Sequence, residues 1–406
     1  MPRRLALPCC LPLLVSAASW GCAPENADDA PSEVARGADA PGLDLEVIAG
    51  TLVARMDLQP GERVLLVGRG GSRWDALVPL LRDGVSAAGG VDLGAVDVHG
   101  AVLEGTVPTG FATGLASAPE GWAEVLSGVD VAVKLPGALP DPAVSNDVYR
   151  AMQDVLRGGR GRTLHFHWAG KTSFEMEELP VDELADHVYQ TALLDTDYPA
   201  LGEKLAAFEA ALRQGAVRVT TRAGTDVGFE VGDRPVTRQD GDASAARAAM
   251  ARNLIDREVE LPAGAARVSP LLETVEGSIA FPPAMWGGER VEGLVLRFEG
   301  GRVVEVEATS GRDGVLAEME AGGEAASTFR ELAVGLNPLL AIPEGEEWIP
   351  YYGYGGGVVR LSLGDNTELG GTVAGGYVRW NFFTDATVTV GGDEWVRDGR
   401  LVGPAM

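Results

Sequence analysis

Three segments in the second half of the sequence place chemically useful side chains at the ends of predicted strands. They are ELPAGAARVSP at residues 260–270, STFRELAVGLNP at residues 327–338, and the pair GVVRLSLGDN and YVRWNFF at residues 357–366 and 377–383. Each segment runs from a strand or helix end into a Gly, Asn or Pro turn. Since such turns present side chains at the edge of a rigid scaffold, we expect the segments to meet in one cleft.

Two histidines stand two residues apart in the predicted strand TLHFHWAG. His165 and His167 therefore share one face of this strand, while Leu164, Phe166 and Trp168 share the other. Imidazole is a common zinc ligand, so the pair would chelate a metal if a third donor lay nearby. The neighbouring sequence offers no such donor. The alternative, a pair of hydrogen-bonded strand histidines, stays open beside the metal site.

A glycine-rich turn follows the first predicted strand. The segment GRGGS at residues 68–72 precedes a predicted helix, an arrangement typical of phosphate binding at a helix N-terminus. Arg73 stands where a dinucleotide fingerprint has its third glycine, and the Lys-Ser or Lys-Thr of a P-loop is missing. The pattern favours an ordinary strand-to-helix turn over a nucleotide site.

Composition and charge exclude several classes of protein. The chain has 406 residues, of which 46% are hydrophobic, enough for two packed cores. With 59 acidic against 33 basic residues, its formal net charge is -26, the wrong sign for neutralising nucleic-acid phosphates. We therefore expect no nucleic-acid partner. Cys9, Cys10 and Cys22 are the only cysteines, so no intramolecular disulfide holds the body of the protein together.

The N-terminus is typical of a bacterial secretory signal. Two arginines precede the apolar stretch LALPCCLPLLVSAA, and a small residue precedes Cys22, as lipoprotein processing requires. The apolar stretch is too short for a stable membrane span. We expect a signal peptide at residues 1–21, a lipid anchor to the membrane at Cys22, and an acidic disordered linker at residues 22–42. The predicted location is exported, as a bacterial cell-envelope lipoprotein or otherwise as a periplasmic or secreted protein.

The remaining pattern predicts two domains. Between residues 43 and 214, strand segments alternate with helical segments, which is typical of an α/β domain with a mostly parallel sheet. From residue 215 to 406 the pattern becomes β-rich, with hairpins such as VLRFEGGRVVEVEA. We therefore predict a β-rich α+β domain after a boundary near Gln214. This second domain carries the three turn segments described above.

Several short motifs, taken in order, resemble those of the thermophilic metalloaminopeptidases of the aminopeptidase T family. They are LQPGERVLLV, DYPAL followed by RVTTRAGTDVGFEV, LPAG, VEGLVLRFEGGRVVEVEA, VGLNP, and LSLGDN with a final DGRL. No single motif is specific, but their order and spacing are shared from residue 43 to the C-terminus. The resemblance implies an aminopeptidase T-like two-domain architecture and a homodimer. It also implies an exopeptidase in which two divalent metals activate a water and hold the free N-terminus of a peptide.

The resemblance further implies six metal ligands in the second domain, and this sequence keeps one of them. The retained position is Glu331, seven residues before Pro338. The family's glutamate after LPAG falls on Ala265. The other family ligands are a histidine, a tyrosine seven residues later, and a terminal His-x-Asp. They fall in turn on Arg360, Thr367, Arg379 and Asn381, the last two flanking Trp380.

These substitutions remove the chemistry of a two-metal site. A guanidinium is always protonated and repels a divalent cation, so Arg360 and Arg379 cannot replace two histidine ligands. We expect both arginines to pair with Glu331, which would otherwise be an isolated buried carboxylate. Such a site has a net positive charge of about one and would receive a carboxylate in a bidentate manner. The alternative is an internal salt bridge that only fills the former cleft.

An aromatic, glycine-rich segment lies between these positions in the sequence. It contains Trp348, Tyr351, Tyr352 and Tyr354, which would form either a pocket wall or a protein interface. We count Tyr352 among the predicted ligand contacts, together with the positions Arg360, Arg379, Trp380 and Asn381.

Three functions remain open on the sequence alone. The first is a secreted or lipid-anchored aminopeptidase-family protein with a degenerate two-metal site, which binds peptides or small carboxylates and requires no cofactor. The second is an active metal-dependent aminopeptidase with a relocated site. It would hold two divalent ions, Zn, Co or Mn, on Glu331 with Glu273, Glu276 or the pair His165 and His167. The third is a structural lipoprotein with a vestigial cleft. Whether the chain is an enzyme is therefore left undecided.

Overall fold

The computed structural model describes residues 42–97, 128–138, 161–168, 171–172, 178–179, 182–253 and 255–403. The predicted signal peptide, Cys22 and all but the last residue of the predicted linker lie outside the described residues. None of the described helices has the length and apolar character that crossing a membrane requires.

A five-stranded parallel sheet forms the core of the N-terminal part. Its strands are β1 (Arg63–Gly68), β2 (Val91–Asp97), β3 (Val131–Lys134), β4 (Arg162–Phe166) and β10 (Glu258–Leu261). They stand in the order β10-β4-β3-β1-β2, and every neighbouring pair is parallel. The strands β3 and β4 are buried along their whole length, as expected for a parallel sheet covered on both faces.

Within the described residues, four helices accompany this sheet: α1 (Leu45–Met56), α2 (Leu77–Ala87), α3 (Glu183–Leu194) and α4 (Tyr198–Gln214). Asp44, Asp182 and Asp197 begin α1, α3 and α4, because each carboxylate accepts a hydrogen bond from a backbone N–H of the first turn. Apolar residues such as Leu52 of α1 and Leu81 of α2 are fully buried. A two-stranded hairpin of β5 (Lys171–Thr172) and β6 (Glu178–Leu179) precedes α3.

The strand β10 comes from beyond Gln214, the predicted domain boundary. After α4 the chain forms β7 (Val217–Thr220), β8 (Asp226–Phe229), β9 (Val236–Gln239) and the short helix α5 (Ala245–Ala249). It then returns to the parallel sheet, where Glu260 of β10 stands opposite His165 of β4. A strand of the second part thus completes the first sheet, so a cut at residue 214 would divide that sheet.

Two antiparallel sheets form the C-terminal part. The five-stranded sheet has the order β19-β18-β17-β11-β9 and contains β11 (Ala265–Val268), β17 (Phe329–Gly335), β18 (Val359–Gly364) and β19 (Val378–Phe383). The eight-stranded sheet has the order β16-β15-β12-β8-β7-β20-β21-β22. Its further strands are β12 (Glu276–Ala280), β15 (Val295–Glu299), β16 (Arg302–Glu307), β20 (Thr387–Val390), β21 (Asp393–Arg397) and β22 (Arg400–Leu401).

A hairpin of β13 (Ala284–Trp286) and β14 (Glu289–Val291) and the helix α6 (Arg312–Ala326) complete this part. A parallel sheet with helices is thus followed by a β-rich region with few helices. The predicted fold class is confirmed.

The LPAG and VGLNP motifs hold the turn after β10 against the end of β17. At Gly264 the backbone has a φ of +146°, and a Cβ there would stand 2.2 Å from the Cβ of Asn337. The Gly264 carbonyl accepts a hydrogen bond from the Leu336 N–H at 2.6 Å, and the Asn337 side-chain amide donates to the Ala263 carbonyl at 2.8 Å. Because only glycine permits this approach, the two motifs join the parallel sheet to the five-stranded sheet at one point.

Candidate functional site

One face of the five-stranded sheet carries most of the side chains that the sequence placed in a shared cleft. Cross-strand pairing puts Arg267 of β11 and Arg360 of β18 on either side of one residue of β17. In the next row of paired residues on the same face, Glu331 of β17 and Trp380 of β19 flank Ser362 of β18. The strands β11, β17, β18 and β19 are thus neighbours, and they place Arg267, Glu331, Arg360 and Trp380 on one face.

Glu331 is fully buried and is held by three guanidinium groups. Its Oε2 lies 2.9 Å from Arg267 Nη2, and its Oε1 lies 2.5 Å from Arg330 Nη1 and 3.1 Å from Arg360 Nη2. The Ser362 hydroxyl also donates to Oε1, at 3.1 Å. Burial by itself would raise the pKa of Glu331. The positive charges of Arg267, Arg330 and Arg360 outweigh burial and hold the pKa below its usual range.

These contacts do not fit the two metals that the family resemblance implies. Both oxygens of Glu331 face guanidinium groups, which repel a divalent cation. Glu368 adds a second carboxylate, paired with Arg330 and, at 3.4 Å, with Arg267. Three arginines against two glutamates leave this cluster with one net positive charge. Within the described ranges, no group of three metal-ligating side chains includes Glu331.

The predicted pairing of Arg379 with Glu331 is wrong. Side chains alternate along a strand, so Arg379 and Asn381 lie on the face of β19 opposite to Trp380. Arg379 Nη1 lies 2.9 Å from Oε1 of Glu318 in α6. Its guanidinium also stands over the indole ring of a tryptophan in β13, 3.4 Å from the ring centre. Arg379 therefore contacts α6 and β13 and does not reach Glu331.

Arg267 and Arg330 pair with Glu331 where the sequence predicted Arg379. Neither arginine was among the predicted site residues. The signal for Arg267 was available, since it lies two residues after Ala265 in a strand and must share its face. Arg330 carried no such signal. It stands at an irregularity in the pairing of β17 with β18, between Phe329 and Glu331, which no strand period predicts.

The other predicted positions do not converge on Glu331. The Thr367 side chain is exposed and its hydroxyl donates to Asp365 at 2.6 Å. The Asn381 amide donates to the Leu361 carbonyl at 3.2 Å, on the far face of the sheet. Of the acidic residues considered for a relocated site, Glu273 is exposed and Glu276 accepts a hydrogen bond from the Gly300 N–H at 2.9 Å. These glutamates therefore do not supplement Glu331.

The aromatic segment forms a wall beside Arg360. A short 3-10 helix spans Tyr351–Gly353, and Tyr352 has a left-handed backbone with a φ of 51°. Its carbonyl accepts a hydrogen bond from Arg360 Nη1 at 2.7 Å. Its ring centre lies 5.0 Å from that of Trp380 and 4.8 Å from that of His167. Tyr352 thus stands between the arginine cluster and the histidine pair.

Several buried donors around Arg360 have no hydrogen-bond acceptor among the described residues. They are Nε and Nη2 of Arg360, the Tyr354 hydroxyl and the Trp380 indole N–H. The Arg360 guanidinium lies 5.3 Å from the ring centre of Tyr354 and 4.8 Å from that of Trp380. Buried donors without acceptors are costly, so this group suits a ligand that brings acceptor oxygens.

The histidine pair lies at the carboxyl edge of the parallel sheet, where such sheets commonly bind ligands. Lys134, His165 and Glu260 stand in one row at the ends of β3, β4 and β10. His167 follows β4, and its Nε2 makes a short hydrogen bond with Oε2 of Glu260. A third potential ligand, which the neighbouring sequence lacked, is therefore Glu260, 93 residues beyond His167.

Burial and a neighbouring positive charge keep His165 uncharged. Burial lowers the pKa of His165 well below its usual range, and the positive charge of Lys134 lowers it further. Burial also raises the pKa of Glu258, another carboxyl of β10, to about 7. His165 is thus a neutral imidazole, the form that binds metals.

In the glycine-rich turn after β1, side chains of the protein itself bind the groups that a phosphate would contact. The Gly71 N–H donates to a carboxylate oxygen of Asp75 at 2.8 Å. Arg73 makes two hydrogen bonds to the carboxylate of Asp186, at 2.9 and 2.6 Å. An acidic side chain occupies the turn, which favours the ordinary strand-to-helix connection over a phosphate site.

Comparisons with known proteins agree with the fold described above. A family model described as thermophilic metalloprotease matches residues 166–339. A search of curated proteins finds no match. Wild-type AmpT from Thermus thermophilus has a similar structure, with a TM-score of 0.57 and 17% identity, over 88% of this chain and 99% of that chain.

A second similar structure is 2,5-dihydroxypyridine dioxygenase from Pseudomonas putida. Its TM-score is 0.57 at 14% identity, over 89% of this chain and 97% of that chain. At these identities the two neighbours show a shared fold and leave the activity of this chain open. The match of residues 166–339 to the thermophilic metalloprotease family and the fold shared with AmpT both agree with the resemblance that the order of the motifs predicted.

Proposed function

We propose that this chain is an exported, lipid-anchored member of the family that binds peptides or small carboxylates and does not hydrolyse them by the two-metal route. The anchor would be Cys22, and the ligand would be held at Arg360, between Tyr352, Tyr354 and Trp380. No cofactor is needed for this binding. A homodimer remains a proposal from the family resemblance alone.

The loss of the two-metal route is supported by the surroundings of Glu331. Hydrolysis by two metals needs several carboxylate and imidazole donors that hold both ions near a water. The retained carboxylate is instead neutralised by Arg267, Arg330 and Arg360 at 2.5 to 3.1 Å. Removing these arginines from Glu331 to admit metals would leave several buried charges without partners.

The observation that carries the binding proposal is the edge of the Arg360 guanidinium formed by Nε and Nη2, where no hydrogen bond is made to the described residues. Its side chain is fully buried, and its Nη1 donates to the Tyr352 carbonyl. Nε and Nη2 have no acceptor in the described part of the chain, although Nη2 lies 3.1 Å from Oε1 of Glu331. A ligand carboxylate would supply two oxygens to this edge of the guanidinium. Because Arg360 is buried, entry of a ligand requires the Tyr351–Gly353 segment to move.

Thermal-shift measurements and calorimetric titration with dipeptides and dicarboxylates test the proposal. We expect a saturable rise in Tm, since a ligand that binds only the native state stabilises it. Arg360→Lys keeps the charge but loses the planar fork, and should weaken binding by roughly tenfold or more. Arg218→Ala is the matched control, because Arg218 is exposed and, among the described residues, its ion-pair partner is Asp226 of the eight-stranded sheet.

Tyr354→Phe is a second variant, which keeps the test valid if Arg360→Lys does not fold. It removes a buried hydroxyl that lacks a partner in the described residues, so the ligand-free protein should be as stable as the wild type or more so. Ligand binding should still weaken. If no peptide or dicarboxylate binds the wild type, or if Arg218→Ala reduces binding as much as Arg360→Lys, the proposal is wrong.

A second candidate function is the active metal-dependent aminopeptidase with a relocated site. It is favoured by the convergence of His165, His167 and Glu260. The same protein preparations distinguish the two functions. Chelator-sensitive release of amino-acid anilides, lost in His167→Ala, would favour the enzyme and overturn the non-hydrolytic proposal.

A further inference from the structure

Three potential metal ligands come together at the carboxyl edge of the parallel sheet. His165, His167 and Glu260 each offer one ligand atom, and these atoms all lie within 4.8 Å of one another. Within the described ranges no other group of three or more such side chains occurs. His165 lies in β4, His167 directly follows this strand, and Glu260 lies in β10, so the parallel register of β4 with β10 brings the three together.

The distances resemble those between atoms that share one ion. Nδ1 of His165 lies 3.7 Å from Oε2 of Glu260, which is too long for a hydrogen bond. Two ligands bound to a tetrahedral zinc at about 2.0–2.1 Å stand roughly 3.3 Å apart. His167 Nε2 already touches the same carboxylate oxygen. Small side-chain rotations would therefore bring all three atoms to one cation.

Hydrogen bonds fix the backbone at Glu260 and His167. The Glu260 N–H donates to the side-chain oxygen of Gln239 at 2.9 Å, and the Gln239 amide donates to the Glu258 carbonyl at 2.9 Å. The His167 N–H donates to the Leu261 carbonyl at 2.7 Å. The backbone on both sides of the cluster is thus fixed before any ion binds, which lowers the cost of assembling a site.

Aromatic rings cover the second histidine. The ring of Tyr351 stacks on His167, with centres 4.4 Å apart and planes at 10°. The edge of Tyr352 approaches His167 from another direction at 4.8 Å. The Tyr351 hydroxyl donates to the Pro262 carbonyl. These rings exclude bulk water from the cluster and leave its polar atoms facing one another.

The charges near the cluster also admit a cation. Lys134 stands beside His165 in a neighbouring strand, and the charges of both Glu258 and Glu260 act on it. Two carboxyl groups therefore stand against one ammonium group here. His165 is 5% exposed, and its Nε2 has no hydrogen-bond partner among the described residues. A buried imidazole with an unused nitrogen is unfavourable unless it finds a partner.

We propose that His165, His167 and Glu260 bind one divalent cation of the Zn²⁺ class. Two imidazoles and one carboxylate are the donor set of three-ligand zinc sites, which keep a fourth position for water or a ligand. Mg²⁺ and Ca²⁺ prefer oxygen ligands and are disfavoured by the two nitrogens. This site is separate from the family's ligand positions and holds one ion rather than two.

The cation site goes beyond the proposed binding function and stands independently of it. It uses none of the donors of Arg360, but Tyr352 contacts both His167 and Trp380. A ligand beside Tyr352 would therefore lie between the cation and the guanidinium. The two proposals are tested by different readouts, so that either one can fail without the other.

Metal titration of the full chain tests the site. Thiols compete for zinc, so Cys9, Cys10 and Cys22 are first replaced by serine and metals are removed with a chelator. Calorimetry should then show one equivalent of Zn²⁺, unaffected by excess Mg²⁺. Co²⁺ should give the visible absorption of a tetrahedral ion with nitrogen and oxygen ligands.

Variants then assign the ion to these residues. His165→Ala, His167→Ala and the near-isosteric Glu260→Gln should each weaken Zn²⁺ binding by more than about tenfold. His187→Ala is the matched control, because His187 is an exposed histidine of α3. Circular dichroism shows whether each variant is folded, and Glu260→Gln keeps the test valid if a histidine variant is not.

The proposal is overturned by any of three results. They are the absence of stoichiometric Zn²⁺ binding by the wild type, equal competition by Mg²⁺, and equal weakening of Zn²⁺ binding by His187→Ala and Glu260→Gln.

Discussion

Glu331 shows how one retained carboxylate can change its chemical role. In a metal site its two oxygens would each face a cation, and here they face the guanidiniums of Arg267, Arg330 and Arg360. A buried carboxylate of this kind is costly without positive partners, and the partners are equally costly without it. The carboxylate and the three guanidiniums therefore depend on one another for their burial.

Replacement of Glu331 by glutamine should reveal this coupling through pH. The folded-state pKa of Glu331 is below the unfolded value of about 4.3, so its contribution to stability is present above that pH and is lost as the pH falls toward the folded pKa. At neutral pH, Glu331→Gln should lower the free energy of unfolding by about 3–5 kcal/mol. The difference from wild type should shrink below about pH 4. Urea unfolding across the acidic range measures both effects.

The control for this prediction is an exposed ion pair. Asp226→Asn breaks the pair with Arg218, whose side chains are more than half exposed, and should cost less than about 1 kcal/mol. A loss of stability in Glu331→Gln that stays the same from neutral to acidic pH would show that ionisation of Glu331 is not its source.

At the scale of single elements, strand alternation decides which side chains meet. Arg360 and Trp380 face Glu331, whereas Arg379 and Asn381 lie behind β19 and contact α6 and β13. The Tyr351–Gly353 segment adds a further constraint, since Tyr352 adopts a φ of 51°. A left-handed backbone at a non-glycine residue costs about 1 kcal/mol. It is held here by the hydrogen bond from Arg360 to the Tyr352 carbonyl.

Two substitutions at Tyr352 separate its backbone from its ring. Tyr352→Ala and Tyr352→Gly both lose the contacts with His167 and Trp380, but only glycine relieves the left-handed strain. The glycine variant should therefore be more stable than the alanine variant by about 1 kcal/mol. At Tyr351, which lacks a positive φ, the order should reverse. Thermal or urea unfolding of the four variants measures both differences, and the same order at both positions would contradict the backbone explanation.

At the scale of the whole molecule, the two parts of the chain are connected through β10. This strand belongs to the parallel sheet, yet it follows β9 of the five-stranded sheet and leads directly into β11. Hydrogen bonds across the Gly264 turn attach its end to β17. The arginine cluster and the histidine cluster are adjacent because of this connection, with Tyr352 between them.

A fragment that ends at the predicted domain boundary should not fold. Residues 43–214 lack β10, so the edge of β4 loses its partner and the buried pair of His165 and His167 loses Glu260. We expect the fragment to show poor dispersion of its NMR signals and no cooperative thermal transition, because unpaired buried backbone groups are costly. Residues 43–403 serve as the control and should unfold cooperatively. A fragment with native-like spectra would show that β10 is dispensable for the first sheet.

The sequence by itself determined the fold class, and it predicted the family resemblance and the loss of the family's metal ligands. These depend on residue type, local periodicity and motif order, such as the alternation of strands and helices before Gln214 or an arginine at position 360. Local pattern also put His165 and His167 on one face of a strand. Each of these conclusions needs only residues that are close together in the chain.

Only the tertiary structure decided which of these groups meet. Glu260 joins His165 because β10 crosses back into the parallel sheet, a pairing between residues far apart in sequence. Arg330 rather than Arg379 reaches Glu331 because an irregularity in β17 and the alternation of β19 set the direction of each side chain. Register and strand face follow from non-local packing, so no local pattern could predict them.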